Sequence, residues 1–197
     1  MSKSDPAAAK KERNKTIRWV VTIFLVTIVV SSVISLVSEE LMSGSGLLAC
    51  FLILFTIIMV GILFDIIGMA VTSADEKPFH SMAARKVLGA QQAIRLLRNA
   101  ERVSSICCDV VGDICGVVSG SASATITAYI LASTQNVWPR MISLAMSALA
   151  AGLTVGGKAI GKTFAMNSAT DIVHMVGRVI YWLGHVPEMF RKKKNRR

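Results

Sequence analysis

The sequence predicts an all-α membrane protein: four transmembrane helices with a cytoplasmic amphipathic hairpin and a C-terminal juxtamembrane helix. Three observations predict it. Hydrophobic residues make up 53% of the 197, more apolar surface than an ordinary soluble domain of this size buries. They gather into four long runs that carry few charges. The Lys and Arg residues fall between those runs, almost all on one side of a four-crossing chain. A bilayer-spanning helix needs ~20 predominantly apolar residues, because hydrocarbon offers its backbone groups no other hydrogen-bond partner.

Residues 1–18 read as a basic cytoplasmic tail with Lys10, Lys11, Arg13, Lys15 and Arg18 close to its end. The first apolar run, Trp19 to Val37, carries no charge and is followed by Glu39 and Glu40. A basic stretch before a hydrophobic one resembles a secretory signal, but the length of this run and the acidic pair after it favour an uncleaved anchor. This extra N-terminal helix and its outer loop occupy residues 19–45. The second run extends from about Gly46 to Val71 with one charge, Asp65, and the third from about Val103 to Leu131 with two, Asp109 and Asp113. The fourth covers about Met141 to Ile160 and holds Lys158 near its end.

Between the second and third runs, residues 72–102 are too many for a turn and too polar to span. From His80 to Ala100, Ala84, Val87, Leu88, Ile94 and Leu97 alternate with Arg85, Lys86, Arg95 and Arg98, which predicts an amphipathic helical hairpin against the inner leaflet, bent at Gly89. Asn99 is placed to cap the third crossing, and Glu101 lies in its first turn, as the helix dipole favours. In the last segment, residues 166–197, Ile172, Val176, Val179, Leu183 and Val186 share a helical face. Tyr181 and Trp182 suit the headgroup layer. A helix lying along the membrane is expected there, with a short fifth span as the alternative. The run Arg191 to Arg197 suits anionic lipid headgroups at about 1 kcal/mol per basic residue near the surface; it serves equally as a stop-transfer tail.

Orientation follows from the positive residues. Of the 22 Lys and Arg, six lie in the first 18 residues, six between 72 and 102, and nine from Lys158 onward, leaving Arg140 alone on the opposite side. The positive-inside rule puts both termini in the cytoplasm, with the expected location a plasma membrane. The formal charge of +10 therefore points to a lipid surface and not to nucleic acid. Cys50, Cys107, Cys108 and Cys115 all sit in apolar runs and are expected to be buried thiols without disulfides. No enzyme is expected, since no nucleophile with a base, phosphate loop or zinc motif is visible.

From Phe64 onward the order of features resembles the transmembrane domain of the CorB/CorC and cyclin-M families. The stretch Phe64-Asp65-Ile66-Ile67-Gly68-Met69-Ala70-Val71-Thr72-Ser73 stands where that family ends its first helix in a Ser-rich segment. Leu96-Leu97-Arg98-Asn99-Ala100-Glu101-Arg102 is similar to its Leu-Leu-x-Asn-Pro-Glu-Arg pattern, and Gly157-Lys158-Ala159-Ile160-Gly161-Lys162 to its Gly-Glu-x-x-Pro-Lys pattern. The resemblance covers roughly residues 46–186 and implies a three-helix domain over 46–165, transport of divalent cations, chiefly Mg²⁺ or Co²⁺, and a homodimer. The family's ion site is held by Ser hydroxyls, Asn groups and glutamates. Here Asp65, Ile67 and Gly68, a turn rich in Cys, Asp and Gly, and Lys158 stand in those places.

A charge inside a span costs at least ~2.5–3.5 kcal/mol near the centre, so it faces the bundle, pairs, or lines a wet path. Asp109 and Asp113 share a helical face, and with Asp65 and Lys158 they fall in the inner half of the bundle. Two readings stand. In one, Asp65, Asp113 and Asp109 bind a hard cation such as Mg²⁺ with Lys158 as gate or charge partner, and Gly112, Gly116, Ser119, Gly120, Ser121 and Ser123 allow close helix approach. In the other, Lys158 neutralises an aspartate in a structural pair. The first makes the chain a divalent-cation transporter or a reduced relative of one; the second makes it a non-transporting scaffold or regulator. The scattered His80, His174 and His185 do not suggest a metal cluster.

Overall fold

A computed structural model describes the backbone of residues 6–133 and 138–194 and the side chains of 16–132 and 138–184. Among the described residues the chain forms seven helices and no strand. Four of them are long and apolar enough to cross a membrane. They are α1 (Pro6–Ser43), α2 (Leu47–Ser73), α5 (residues 100–133) and α6 (Pro139–Asn167). Two short helices, α3 (Lys77–Ala84) and α4 (Ala90–Arg98), fill the connection between α2 and α5, and α7 (Ala169–Lys194) follows α6.

The punctuation is local chemistry. Between α1 and α2 the turn is closed by the Ser45 amide on the Met42 carbonyl at 3.1 Å and the Ser45 hydroxyl on Leu41 at 2.6 Å. After α2, the Asp75 carboxylate accepts the Lys77 amide at 3.2 Å, and Pro78 in the first turn of α3 loses no helical hydrogen bond. The bend between α3 and α4 falls at Gly89, as expected, with φ of 86°, a conformation open to glycine at little cost. Asn99 does precede α5, but its side chain makes no cap; its amide instead donates back to the Arg95 carbonyl at 2.9 Å.

α2 is the central element. It packs against both α5 and α6, which also pack against each other, while α1 lies along α5, with Ile23, Val30 and Ile34 against Val110, Ile114 and Val118. Glycines set the spacing. A Cβ at Gly61 would lie 2.8 Å from Cys115 Cβ, one at Gly68 would strike Cys108 Sγ, and one at Gly161 would lie 2.9 Å from Ile66. Gly157 meets Ile62 in the same way. Gly116 and Gly120, expected at close contacts, have open space instead; of the three glycines expected there, Gly112 alone is a point of close approach, while Ser119 and Ser123 are buried.

The hairpin and α7 close one end of the bundle. Phe79 is fully buried with Val71, Ala93, Ala165 and Val173, a burial worth roughly 1.5–3 kcal/mol for the Phe side chain. Gly89 and Gly177 touch backbone to backbone: a Cβ at Gly177 would lie 2.6 Å from the Gly89 oxygen. His174 donates to the Leu88 carbonyl at 3.2 Å. Part of the apolar side of the hairpin therefore meets protein, with Ala93 buried and Ile94, Leu96 and Leu97 half-buried, while Ala84, Val87 and Leu88 are exposed. Likewise α7 buries Val173 and Gly177 against α4, while the predicted face splits, with Ile172 and Val176 half-buried and Val179 and Leu183 exposed. Of the residues expected at a membrane surface, His185, Val186 and the side chains of the basic run 191–197 lie outside the described side chains, as do those of Lys10, Lys11, Arg13 and Lys15.

Candidate functional site

The polar centre of the bundle forms where α5 changes its winding. The helix begins as α over Ala100–Ser104, turns π-helical over Ser105–Gly112 and resumes as α over Asp113–Ser133. Such wide turns inside an α-helix frequently mark functional sites. Nothing in the hydrophobic periodicity of Ser105 to Gly112 announces this one. Gly112, the last π residue, holds its backbone against α2 and α6: a Cβ there would lie 2.6 Å from Asp65 Oδ1 and 3.3 Å from Lys158 Nζ.

Into that space α6 sends Lys158. Its amine donates to the Gly112 carbonyl at 3.2 Å and stands 3.7 Å from Asp65 Oδ2 and 3.6 Å from Asp113 Oδ1. One ammonium thus joins three helices. The partners differ in exposure: the Asp65 side chain is 4% exposed, that of Lys158 20% and that of Asp113 71%. Asp65 is a buried carboxylate with its counter-ion; Asp113 is a rim carboxylate leaning on the same amine. Cys108, half-buried, donates to the backbone carbonyl of Asp65 at 3.7 Å and lies 3.8 Å from the Ser104 hydroxyl, a further tie between the π segment and α2.

The structure brings together Asp65, Asp113 and Lys158 of the four charges singled out in the sequence. Asp109 is not part of the cluster; it is exposed on α5. Among the described residues, no group of three or more His, Cys, Asp or Glu is placed to hold a metal ion. His80 pairs instead with Glu76 at 3.1 Å, and Arg98 contacts the same oxygen at 3.1 Å, bracing the hairpin. The four cysteines are free thiols, with Cys108 the least buried.

Outward from Lys158 and Asp113, a cleft of about 210 Å³ separates α5 from α6, lined by Gly116, Ser119, Ser123, Ser147, Ala151 and Thr154 among others. Three of its hydroxyls are spent on their own helices: buried Ser119 donates to Gly116 at 2.8 Å and buried Ser123 to Gly120 at 3.0 Å, and half-buried Thr154 donates to Ala150 at 2.8 Å. Sequence reasoning anticipated the charged residues but not the Gly112 carbonyl, since a backbone acceptor has no sequence signature. No protein-family model, curated protein or solved structure matches the chain.

Proposed function

We propose that the chain is a four-crossing integral membrane protein with its termini, hairpin and α7 on the cytoplasmic side, laid out like the CorB/CorC and cyclin-M transmembrane domain, in which Lys158 takes the place of a bound cation. On this reading it is a non-transporting scaffold or regulator related to divalent-cation transporters. Large side chains left open along helices of spanning length, such as Phe24, Leu25, Val29 and Leu36 of α1, support hydrocarbon as the solvent.

The position of Lys158 carries the rest. An ammonium that contacts Asp65, Asp113 and the Gly112 carbonyl already occupies the position between the oxygens a metal would need. Mg²⁺ binds oxygen at about 2.0–2.1 Å in an octahedral shell, and a dication ~4 Å from a fixed ammonium meets repulsion of roughly 8 kcal/mol at an effective dielectric near 20. The test is Mn²⁺ or Mg²⁺ binding to the detergent-purified chain and to its Lys158→Glu variant. No binding by the unmodified chain and measurable binding by the variant are expected; an unmodified chain that binds Mg²⁺ with Lys158 in place refutes the reading.

One observation favours a second reading, a working cation carrier. The amine stands 3.6–3.7 Å from both carboxylates, beyond the ~2.7–2.9 Å of a tight charge-assisted hydrogen bond, so it is held loosely enough to swing aside. Reconstituted vesicles separate the two: Mg²⁺ flux that disappears in Asp65→Ala and Asp113→Ala supports a carrier, and the absence of flux in the unmodified chain supports the scaffold.

A further inference from the structure

The bend between α3 and α4 is closed by a residue ill suited to it. At the end of α3 the Val87 amide donates back to the Met82 carbonyl at 3.0 Å and the Lys86 amide to the Ala83 carbonyl at 3.0 Å. These paired bonds end a helix through a left-handed residue, ordinarily Gly or Asn. Lys86 fills that position with φ of 57° and is the one non-glycine residue of positive φ among the described residues, a conformation that costs free energy once a Cβ is present. A glycine would close the same turn more cheaply, so what the lysine adds is its amine.

Lys86 lines a cavity. About 180 Å³ lies between the bend, the start of α4 and α7, walled by Lys86, Val87, Leu88, Gln91, Gln92 and Tyr181 among others. Lys86 is in no ion pair among the described residues. No Asp or Glu occurs from Ala83 to Arg98 or from Ile172 to Pro187, the two stretches that meet here. Arg85 and Arg178 are exposed close by, and a Cβ on Gly89 would lie 2.6 Å from the Arg178 backbone nitrogen. Positive charge without a counter-charge favours an anion. The apolar groups beside it indicate what the anion is attached to. Val87 and Leu88 wall the cavity and are exposed, and on α7 the exposed Met175, Val179, Trp182 and Leu183 share one helical face. A free phosphate gains nothing from such neighbours, whereas an acyl chain does.

We infer that the cavity at Lys86 binds the headgroup of an anionic phospholipid of the cytoplasmic leaflet, one that ends in a phosphomonoester, as phosphatidic acid does. Lys86 and the carboxamide N–H groups of Gln91 and Gln92 donate to its terminal oxygens, and the acyl chains rest against Val87, Leu88 and the apolar face of α7. A phosphomonoester matches because it carries about −1.5 to −2 charges and three strong acceptors, and a cavity of this size leaves little room for a larger headgroup. The inference rests on the membrane reading above and concerns a site separate from the basic run 191–197.

The test uses the full chain in phosphatidylcholine vesicles holding a minor fraction of a lipid with a diazirine in its acyl chain, close to the ester. The headgroup of this probe is phosphatidic acid, phosphatidylserine or phosphatidylcholine, and labelled peptides are identified by mass spectrometry. The phosphatidic acid probe is expected to label the peptides holding Leu88 and Trp182 at least about tenfold more than the phosphatidylcholine probe, the factor a charge-assisted hydrogen bond supplies. Lys86→Gly relieves the backbone cost and therefore folds at least as stably, yet it removes that excess. Lys77→Gln deletes an equal charge from the exposed start of α3 and leaves the excess unchanged. An excess that survives Lys86→Gly, falls equally in Lys77→Gln or is matched by the phosphatidylserine probe overturns the inference. So does one abolished by inorganic phosphate, because the occupant is then the free ion. The phosphatidylcholine probe tests the premise separately: α1 and α2 left unlabelled sink the membrane reading itself, whereas labelled spans with no excess at Leu88 sink only the headgroup site.

Discussion

Lys158→Met removes the ammonium and its hydrogen bond to Gly112 while keeping the length of the side chain. Asp65, with 4% of its side chain exposed, is then left without a counter-ion. At the observed separation of 3.7 Å, the attraction is about 4 kcal/mol for an effective dielectric near 20. Asp113, at 71% exposure, contributes a screened and much smaller share. Removing one partner of a buried pair costs about 3–5 kcal/mol, chiefly through the charge left behind; the long contact places Lys158→Met at the lower end, about 3 kcal/mol. Replacing both partners, Asp65→Leu with Lys158→Met, recovers most of that loss, because two apolar side chains need no desolvation. The assay is equilibrium unfolding in mixed detergent micelles followed by tryptophan fluorescence and helical circular dichroism. The reasoning is refuted if Lys158→Met costs less than about 1 kcal/mol, or if the double variant loses as much as the two single variants added together.

Three further outcomes follow from the same geometry. Gly112→Ala puts a methyl group 2.6 Å from Asp65 Oδ1 and is expected to lose about 1–3 kcal/mol in that unfolding assay, whereas Gly116→Ala, with open space around it, is expected to lose no more than about 1 kcal/mol. Gly89→Ala combines φ of 86° with a Cβ 2.6 Å from the Arg178 backbone nitrogen, so α4 must part from α7; proteolysis between residues 85 and 89 in open vesicles should accelerate without change in helix content. The Arg102 guanidinium lies 5.6 Å from the Trp19 ring centroid, and Arg102→Ala should cost about 0.5–1 kcal/mol and alter Trp19 emission in a chain whose other tryptophans are replaced by Phe.

The long helices were legible because twenty-odd apolar residues in a row leave little choice of structure, and the hairpin because its apolar residues recur at helical spacing around Gly89. What escaped was tertiary. The splitting of the α7 face depends on Gly177 meeting Gly89 across 88 positions of sequence, and a glycine does not reveal which backbone it admits. The same limit hid the spacing of α2, where Gly61, Gly68, Gly157 and Gly161 set the approach and the more conspicuous run from Gly116 to Gly120 does not. At the polar centre, charge inside an apolar run identified Asp65, Asp113 and Lys158. It also drew in Asp109, because residues four apart share a helical face; the structure leaves that face turned outward. The widened turn over Ser105–Gly112 and the Gly112 carbonyl lie on the backbone, beyond what side-chain pattern can signal.

A buried ion pair is a poor source of net stability, since an apolar pair does about as well, so its use here must lie elsewhere. The packing of α2 against α6 suggests where. These helices run in the same direction, and Ile62 and Ile66 meet Gly157 and Gly161, a pattern that repeats every four residues. A slip of one turn keeps one isoleucine on one glycine and moves the helices by ~6 Å, so apolar packing alone distinguishes the registers weakly. The Lys158 amine distinguishes them strongly, because contact with Asp65 at 3.7 Å and with Gly112 at 3.2 Å exists in one register only. The charged cluster then acts as a pin that fixes α2, α5 and α6 at a common depth. The stable double variant Asp65→Leu with Lys158→Met should therefore fold and yet lose that uniqueness. Spin labels near the Leu47 end of α2 and the Pro139 end of α6 should report a single distance in the unmodified chain and, in the double variant, a second population from helices slipped by four residues, ~6 Å along their axes. A single, unchanged distance in the double variant would mean that the apolar surfaces set the register unaided and that the charges are kept for another reason.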